Sequence, residues 1–255
     1  MKKLALGLIA FAALCSATTQ AANCVYGCPT GKSGQVVTRS IYTISNNATT
    51  KFADWAAYQV TSATIDGPSR TRTWKADPSI TAANTLEPAD YTNAAAQLGT
   101  DRGHQVPLAA FSNTADWATT NYLSNITPQA AELNQGPWER LENAERVIAR
   151  SGQPVFVVTG PLYEWYFGSL PGADESHIIP SGYYKVVIAV INGTVKASAF
   201  IMEQDSARAD NFCSKEVTID EVEMRAGINV MPTLSTTIQA PVERSYGGLK
   251  SQLGC

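Results

Sequence analysis

Histidine is almost missing from this chain: His104 and His177 are the only two among 255 residues. A zinc centre built on several histidines is therefore out of reach. The cysteines do not make up the deficit, because the close pair Cys24 and Cys28 has no second close pair to complete a ligand set. Long apolar runs are also lacking. The longest, Leu4 to Leu14, falls well short of the roughly 20 residues that span a bilayer, so no membrane-spanning helix is expected. A basic excess is missing too, with 19 Lys and Arg against 22 Asp and Glu and a formal net charge of −3. That balance argues against a module that binds nucleic acid through a broad positive field. An acidic chain can still engage phosphate locally, through a few arginines and a metal ion. No internal repeat and no low-complexity tract is present.

What is present begins with a leader pattern. Lys2 and Lys3 precede the apolar run, and small and polar residues follow up to Ala21, the layout of a secretory signal peptide cut after Ala21. Residues 1–21 are thus expected to be a signal peptide and residues 22–255 a single domain, secreted to the periplasm or the medium. Loss of two of the 19 basic residues with the leader leaves 17 against 22 acidic ones, a net charge of −5. Cys15 leaves as well, and the four remaining cysteines suit disulfides in an exported chain. Three pairings are open. The tight segment Cys24-Val25-Tyr26-Gly27-Cys28 suits a local bridge, which would leave Cys213 with Cys255. Closing that longer loop stabilises by about 4 kcal/mol in the chain-entropy account.

Apolar periodicity marks the elements coarsely. Residues 35–64 contain β-type runs, such as Gln35–Val37 and Ala57–Thr61, and Val155–Thr159 reads as a buried strand. Tyr184–Ile191 and Thr194–Ile201 flank Asn192-Gly193, a strong hairpin signal. The Pro- and Asp-rich stretch Trp74–Tyr91 reads as an ordered loop. One helix is expected from near Asn134 to Ala149, with Pro137 in its first turn, on the stripe Leu133, Trp138, Leu141 and Ile148. A second follows Thr218-Ile219-Asp220-Glu221, a capping-box pattern, and stops at Gly227. Strands and helices do not alternate regularly, so the expected class is α+β with an antiparallel sheet.

Two segments concentrate chemistry. Asp101-Arg102-Gly103-His104-Gln105-Val106-Pro107 combines a neutral-pH base, a planar phosphate donor and a glycine. On residue types alone, a His beside an Arg is more often an ordinary surface or core residue than a catalytic one. In the second segment Asn134, Trp138 and Glu142 are spaced at i, i+4 and i+8, which puts Asn134 and Glu142 on one helix flank. Asn offers a neutral carbonyl oxygen, a suitable hard ligand for Mg2+, and Glu142 could hold one of the waters that Mg2+ keeps. By pattern alone a polar helix face explains the same residues.

These segments resemble the DNA/RNA non-specific endonuclease family, the ββα-metal or His-Me-finger nucleases, and especially its Serratia-type extracellular branch. The resemblance rests on Asp101-Arg102-Gly103-His104 followed by Asn125, Asn134 and Glu142, and extends to Cys24–Gly31, Thr73–Pro78, Thr85–Thr92, Tyr122–Gln129 and Thr159–Glu164. It implies a ββα-metal motif within the antiparallel fold, in which a strand pair presents His104 and the following helix presents Asn134. It implies His104 as general base, Asn134 as the single protein ligand of Mg2+, with Mn2+ as a substitute ion, and Glu142 as holder of a metal-bound water. Arg72 and Arg102 match phosphate-contacting arginines, Asn125 an amide that positions the base or substrate, and Arg146 a weaker substrate contact. Asp101 reads as structural and His177 as non-catalytic. The implied partners are DNA and RNA, met through the phosphate backbone, and a second copy of the chain in a homodimer. A binding-only member of the fold would be expected to lack His104, Asn134 or Arg72, and all three are present.

Overall fold

The apolar runs of the sequence assemble into one large sheet. In the computed structural model, which describes residues 23–255, seven strands pair antiparallel throughout: β1 (Gln35–Thr38), β2 (Tyr42–Asn46), β3 (Ala53–Val60), β6 (Val155–Leu162), β7 (Gly182–Ile191), β8 (Thr194–Glu203) and β9 (Glu216–Val217), in that spatial order. Two further strands, β4 (Thr100–His104) and β5 (Ile126–Ala130), form a separate antiparallel pair. The expected leader and its cut after Ala21 lie outside the described residues. The expected α+β class with an antiparallel sheet is what the chain adopts.

Both faces of the large sheet are covered, which is why β2, β3 and β7 read as nearly continuous buried strands. On one face Leu141, Ala144 and Ile148 of α3 (Glu139–Arg150) pack on Tyr58, Val157 and Val187. On the other, Ile219, Val222 and Ala226 of α4 (Ile219–Ala226) pack on Trp55, Val158 and Val186. Neighbours such as Val157 and Val158 point to opposite faces, as strand geometry requires. A third cluster, Phe52, Leu86, Tyr91, Leu123, Ile126, Leu170 and Ile179, lies under the β4–β5 pair. Short helices α1 (Ala94–Leu98), α2 (Ala131–Leu133), α5 (Thr236–Glu243) and α6 (Lys250–Leu253) complete the set.

Local signals act as expected at several points. Asn192 and Gly193 both take positive φ (51° and 75°) in the β7–β8 turn, the geometry that two-residue hairpins favour. Thr218 Oγ1 accepts from the Glu221 amide at 3.1 Å, and Gly227 closes α4 with φ 66°. The bridges Cys24–Cys28 and Cys213–Cys255 are both formed, with Cα separations of 4.7 and 5.6 Å. No helix among the described residues is long and apolar enough to cross a membrane.

The helix expected over 134–149 differs in its first half. It begins one turn earlier, as α2, and is broken by a wide turn over Asn134–Trp138 before α3 starts. Pro137 removes a backbone donor there, and Gly136 adopts φ −113°, ψ −118°, outside the helical region. A Cβ on Gly136 would come within 2.8 Å of the Arg208 Cα, so only glycine lets the two backbones pass this closely.

The β4–β5 pair is fixed to the large sheet by polar clamps. Pro128 lies within β5, yet its carbonyl accepts from Tyr183 Oη at 2.9 Å and from Gln204 Nε2 at 2.8 Å. The Gln204 Oε1 in turn accepts from the Ala130 amide at 2.7 Å. These bonds set the position of the strand that leads into Asn134.

Candidate active site

A cleft of about 650 Å³ opens where β4, α1 and the turn before α3 meet, and Arg72, Asp101, Arg102, His104, Asn134, Glu142 and Arg146 all line it. The sequence motifs, up to 74 positions apart, thus converge on one place. Antiparallel pairing does most of this. His104 ends β4 opposite Ile126, and β5 runs back past Arg102 and Asp101 to deliver the chain at Asn134.

His104 is half-buried at the cleft wall, with the Trp74 ring 5.4 Å from its own. Its Nε2 lies 3.2 Å from Asn121 Oδ1. That contact is satisfied when Nε2 carries the proton, which leaves the lone pair on Nδ1. Desolvation, with the Arg72 charge adding to it and the Asn121 bond opposing, pulls His104 from the ordinary 6.5 down to about 4. The ring is therefore neutral, and able to accept a proton, well below the pH of about 6.5 at which an unperturbed histidine would become charged.

Asn134 is held in one orientation. Its Nδ2 donates to Asp101 Oδ2 at 2.8 Å, and Gln135 Nε2 donates to the same oxygen at 2.7 Å. With the amide nitrogen engaged, Oδ1 is the group left to face the cleft, a neutral hard oxygen of the kind that Mg2+ takes. Asp101, read from sequence as structural, has this definite task. Glu142 is nearly buried at the cleft floor, 3.5 Å from Lys185 Nζ. Burial pushes its carboxyl up to about 7, against the pull of Lys185 and with Glu145 adding to the rise. The donor set of one oriented amide oxygen and one carboxylate suits a hydrated divalent ion of hard character.

The arginines differ in how they are held. Arg72 is exposed on the cleft rim. Arg102 packs its guanidinium over Trp74 and Tyr91, 5.6 and 5.2 Å from their ring centres, and reaches the Pro88 carbonyl at 3.4 Å. Stacking of this kind fixes a planar cation without neutralising it. Arg146 sits beside Asn143 at 3.4 Å and 3.9 Å from Glu139.

Asn125 does not reach the cleft. It is fully buried, and its amide brackets backbone: Oδ1 accepts from the Val106 N–H at 2.9 Å, while Nδ2 donates to the Val106 and Thr120 carbonyls at 3.0 and 2.9 Å. The side chain fixes the backbone just after His104 and is walled off from the cleft. His177 is also outside the cleft. Its Nε2 accepts from the Leu170 amide at 2.8 Å and its Nδ1 lies 2.9 Å from the Glu175 carbonyl.

Three features were not read from the sequence. Asn121, in Thr119-Thr120-Asn121-Tyr122, carries no local signal of its contact with His104. Trp74 and Tyr91 wall the cleft from within a segment read only as an ordered loop. Lys185 is fully buried, 3.2 Å from Glu145 and 4.5 Å above the Trp138 ring. A signal for it did exist, as the one charge in the apolar run Gly182–Ile191.

The sequence model of the family described as DNA/RNA non-specific endonuclease matches residues 19–237. The chain is 46% identical to a nuclease of Serratia marcescens, over 100% of this chain and 97% of that one. It is 30% identical to the human mitochondrial endonuclease G, over 78% of this chain and 70% of that one. A chain from the crystal structure of the EndoG/EndoGI complex superposes with a TM-score of 0.74 at 21% identity, covering 88% of this chain and 95% of the other.

Proposed function

Since the chain belongs to the DNA/RNA non-specific endonuclease family, we propose that it is a secreted, Mg2+-dependent endonuclease that hydrolyses DNA and RNA, single- and double-stranded, to 5′-phosphorylated oligonucleotides. The observation that carries this reading is the pairing, across one cleft, of a neutral His104 held by Asn121 with an Asn134 held by Asp101. Two disulfides, Cys24–Cys28 and Cys213–Cys255, favour an oxidising compartment outside the cytosol.

In this mechanism Nδ1 of His104 takes a proton from a water that attacks the phosphorus in line. The bond from phosphorus to the 3′-oxygen breaks, the new oxygen stays on the 5′-phosphate, and the 3′-oxygen leaves as a hydroxyl with a proton from solvent. Asn121 keeps the imidazole in the tautomer and orientation this needs, and Asn125 fixes the backbone after it. Arg72 and Arg102 meet the charge that builds on the phosphate oxygens, in a site where preorganised donors act strongly. Asn134 would hold Mg2+ directly and Glu142 through one of the ion's waters, and the ion would supply charge neutralisation to the phosphate. Every protein contact to the substrate in this scheme is to phosphate, and phosphate contacts carry no base sequence. None requires a 2′-hydroxyl, so DNA and RNA are equivalent at this level.

The direct test is digestion of supercoiled plasmid and total RNA by the purified protein with Mg2+ and with EDTA. Both substrates should be degraded with Mg2+ to fragments that ligase accepts without a kinase step, and both should survive in EDTA. An intact plasmid and intact RNA in Mg2+ would refute the proposal.

Proton competition at Glu142 gives a second test. Its folded-state value, about 7, lies above the ordinary carboxylate range, so the ionised form is lost as pH falls through neutrality. Mg2+ affinity, read by calorimetry on the protein without nucleic acid, should weaken about tenfold for each unit below pH 7 if one proton is exchanged. In Glu142→Gln the affinity should be weaker and flat with pH. A wild-type affinity independent of pH between 5.5 and 8 would remove Glu142 from the ion's surroundings.

A further inference from the structure

An amide side chain that presents its oxygen to an ion has to be kept from turning over, because its oxygen and nitrogen ends are nearly the same shape. At Asn134 the polarity is dictated by a chain of side chains. Glu132 accepts from Arg208, whose Nε and Nη2 lie 3.2 and 3.0 Å from its Oε1. Arg208 Nη1 donates to Gln135 Oε1 at 3.0 Å. Gln135 Nε2 donates to Asp101 Oδ2 at 2.7 Å, and Asn134 Nδ2 donates to the same oxygen at 2.8 Å. A guanidinium only donates, and an ionised carboxylate only accepts. Gln135 lies between one of each, so a single orientation satisfies it. The acceptor Asp101 likewise takes the nitrogen of Asn134 and leaves its oxygen for the cleft. Asp101, Asn134 and Gln135 line that cleft, and Arg208 lies outside the lining.

Arg208 is brought there by its backbone. It belongs to the connection between β8 and β9, and this connection presses on the turn that carries Asn134. A Cβ on Gly136 would meet the Arg208 Cα and carbonyl oxygen at 2.8 and 2.9 Å. Arg140, in the first turn of α3, donates to the Arg208 carbonyl at 2.7 Å and also to the Asp210 carbonyl. The place of Arg208 is thus fixed independently of its side chain. Its ion pair with Glu132 is exposed on both sides, 47% and 60%, and pairs of that kind add little to stability. What the pair supplies is direction. The guanidinium is a rigid fork, and with one edge on Glu132 its Nη1 is aimed at Gln135.

We propose that Arg208 is a positioning residue of the metal site, which through Gln135 and Asp101 holds the Asn134 oxygen toward the ion and keeps Asp101 from taking its place. The role rests on the nuclease reading given above, in which Asn134 is the ion's ligand. Asp101 needs such a restraint. A carboxylate beside a cation is itself a hard ligand, and one free to turn would compete with the neutral amide. Two donors from successive residues, both on Oδ2, hold the plane of the Asp101 carboxylate. Groups that orient a metal ligand in this way tune affinity for the ion without touching it.

The test measures Mg2+ affinity by calorimetry on the mature protein without nucleic acid, for the wild type, Arg208→Met, Gln135→Met and the double variant. Each single change should weaken affinity about tenfold, the lower end of what partners of metal ligands contribute. The double variant should be no weaker than either, whereas independent effects would multiply to about a hundredfold. Arg208→Lys should behave like Arg208→Met, because an ammonium keeps the charge but not the fork. At saturating Mg2+ the kcat of Arg208→Met on plasmid should return to near the wild-type value. Unchanged Mg2+ affinity in Arg208→Met, or multiplied losses in the double variant, would overturn the proposal. So would a KM for plasmid that stays raised at saturating Mg2+, since Arg208 would then meet the nucleic acid directly. If the wild type bound no Mg2+, the reading of Asn134 as a ligand would fail instead. The relay is decided in that case by NMR of the ion-free protein. Solvent exchange of the Asn134 side-chain amide protons should be slow in the wild type and faster in Arg208→Met, and equal rates would overturn it.

Discussion

Alanine in place of His104 is expected to slow cleavage of plasmid and RNA alike by about 10²–10⁴, the usual contribution of a positioned general base. The fold should survive the change, because the imidazole is half-buried at a cleft wall and bonds only to Asn121. Mg2+ binding should survive too, since Asn134 and Glu142 are left in place. The loss should therefore fall on kcat, with the thermal midpoint moved by no more than a degree or two. The pH profile of the wild type carries a further consequence. With His104 held near 4 and Glu142 near 7, the acid limb belongs to the carboxylate and not to the base. Activity should decline as pH falls below about 7, and excess Mg2+ should push that limb toward lower pH, because ion binding favours the ionised Glu142. A His104→Ala enzyme with wild-type kcat would end the proposed mechanism. A limb that ignored Mg2+ would detach Glu142 from it.

The second large effect is expected at Lys185. This lysine is fully buried and serves two carboxylates, Glu145 at 3.2 Å and Glu142 at 3.5 Å, with the Trp138 ring below it. In Lys185→Met the stem is replaced but the cation is lost, leaving the buried carboxyl groups of Glu142 and Glu145 without the ammonium that touches both and only the charge of Arg146 acting on Glu142. Breaking a buried ion pair from one side costs about 3–5 kcal/mol, and urea unfolding at pH 8 should show a loss of that order. The sign of the pH effect follows from Glu142. A carboxyl raised above its unfolded value weakens the fold where it is ionised, so uptake of a proton relieves the strain. The deficit of Lys185→Met should therefore shrink as pH falls from 8 toward 5. Cleavage at pH 8 should fall as well, because a protonated Glu142 no longer serves the metal. A variant as stable as wild type at pH 8 would show that the three charges are not coupled.

The candidate site residues are more legible in the sequence than the strands that carry them. Asp101 to His104 and Asn134 to Glu142 stand in compact, unusual runs of functional side chains, and the structure brings both runs to one cleft. The strands beneath them gave little sign. Thr100-Asp101-Arg102-Gly103-His104 contains a glycine and two charges, and Ile126–Ala130 contains a proline, so neither has the alternation of a half-buried strand. They are held in place by Tyr183 of β7 and by Gln204, just past the end of β8, which both bond the Pro128 carbonyl, a tertiary contact that local pattern cannot carry. β2 falls inside the β-type region 35–64, but its bounds are not legible, for a different reason. Tyr42-Thr43-Ile44-Ser45-Asn46 is buried on both faces with polar side chains among the apolar ones, so no period of two survives. The turn over Asn134–Trp138 was missed because Pro137 is acceptable in a first helical turn, and the close approach of Arg208 that demands Gly136 comes from far along the chain.

Helix α3 does two jobs at once. Leu141, Ala144 and Ile148 fill the space against the sheet, while Glu142 and Arg146 face the cleft from the same rigid cylinder. A change of side-chain volume at any of those three core positions would roll or lift the whole cylinder, and the cleft would feel a displacement it has no local means to absorb. Variation in this segment is thus confined to its outward positions, such as Asn143, Val147 and Arg150, which are exposed. The mutational tolerance of the enzyme is set here by a shared lever, and inheritable change in activity is open to the loops long before it is open to this helix.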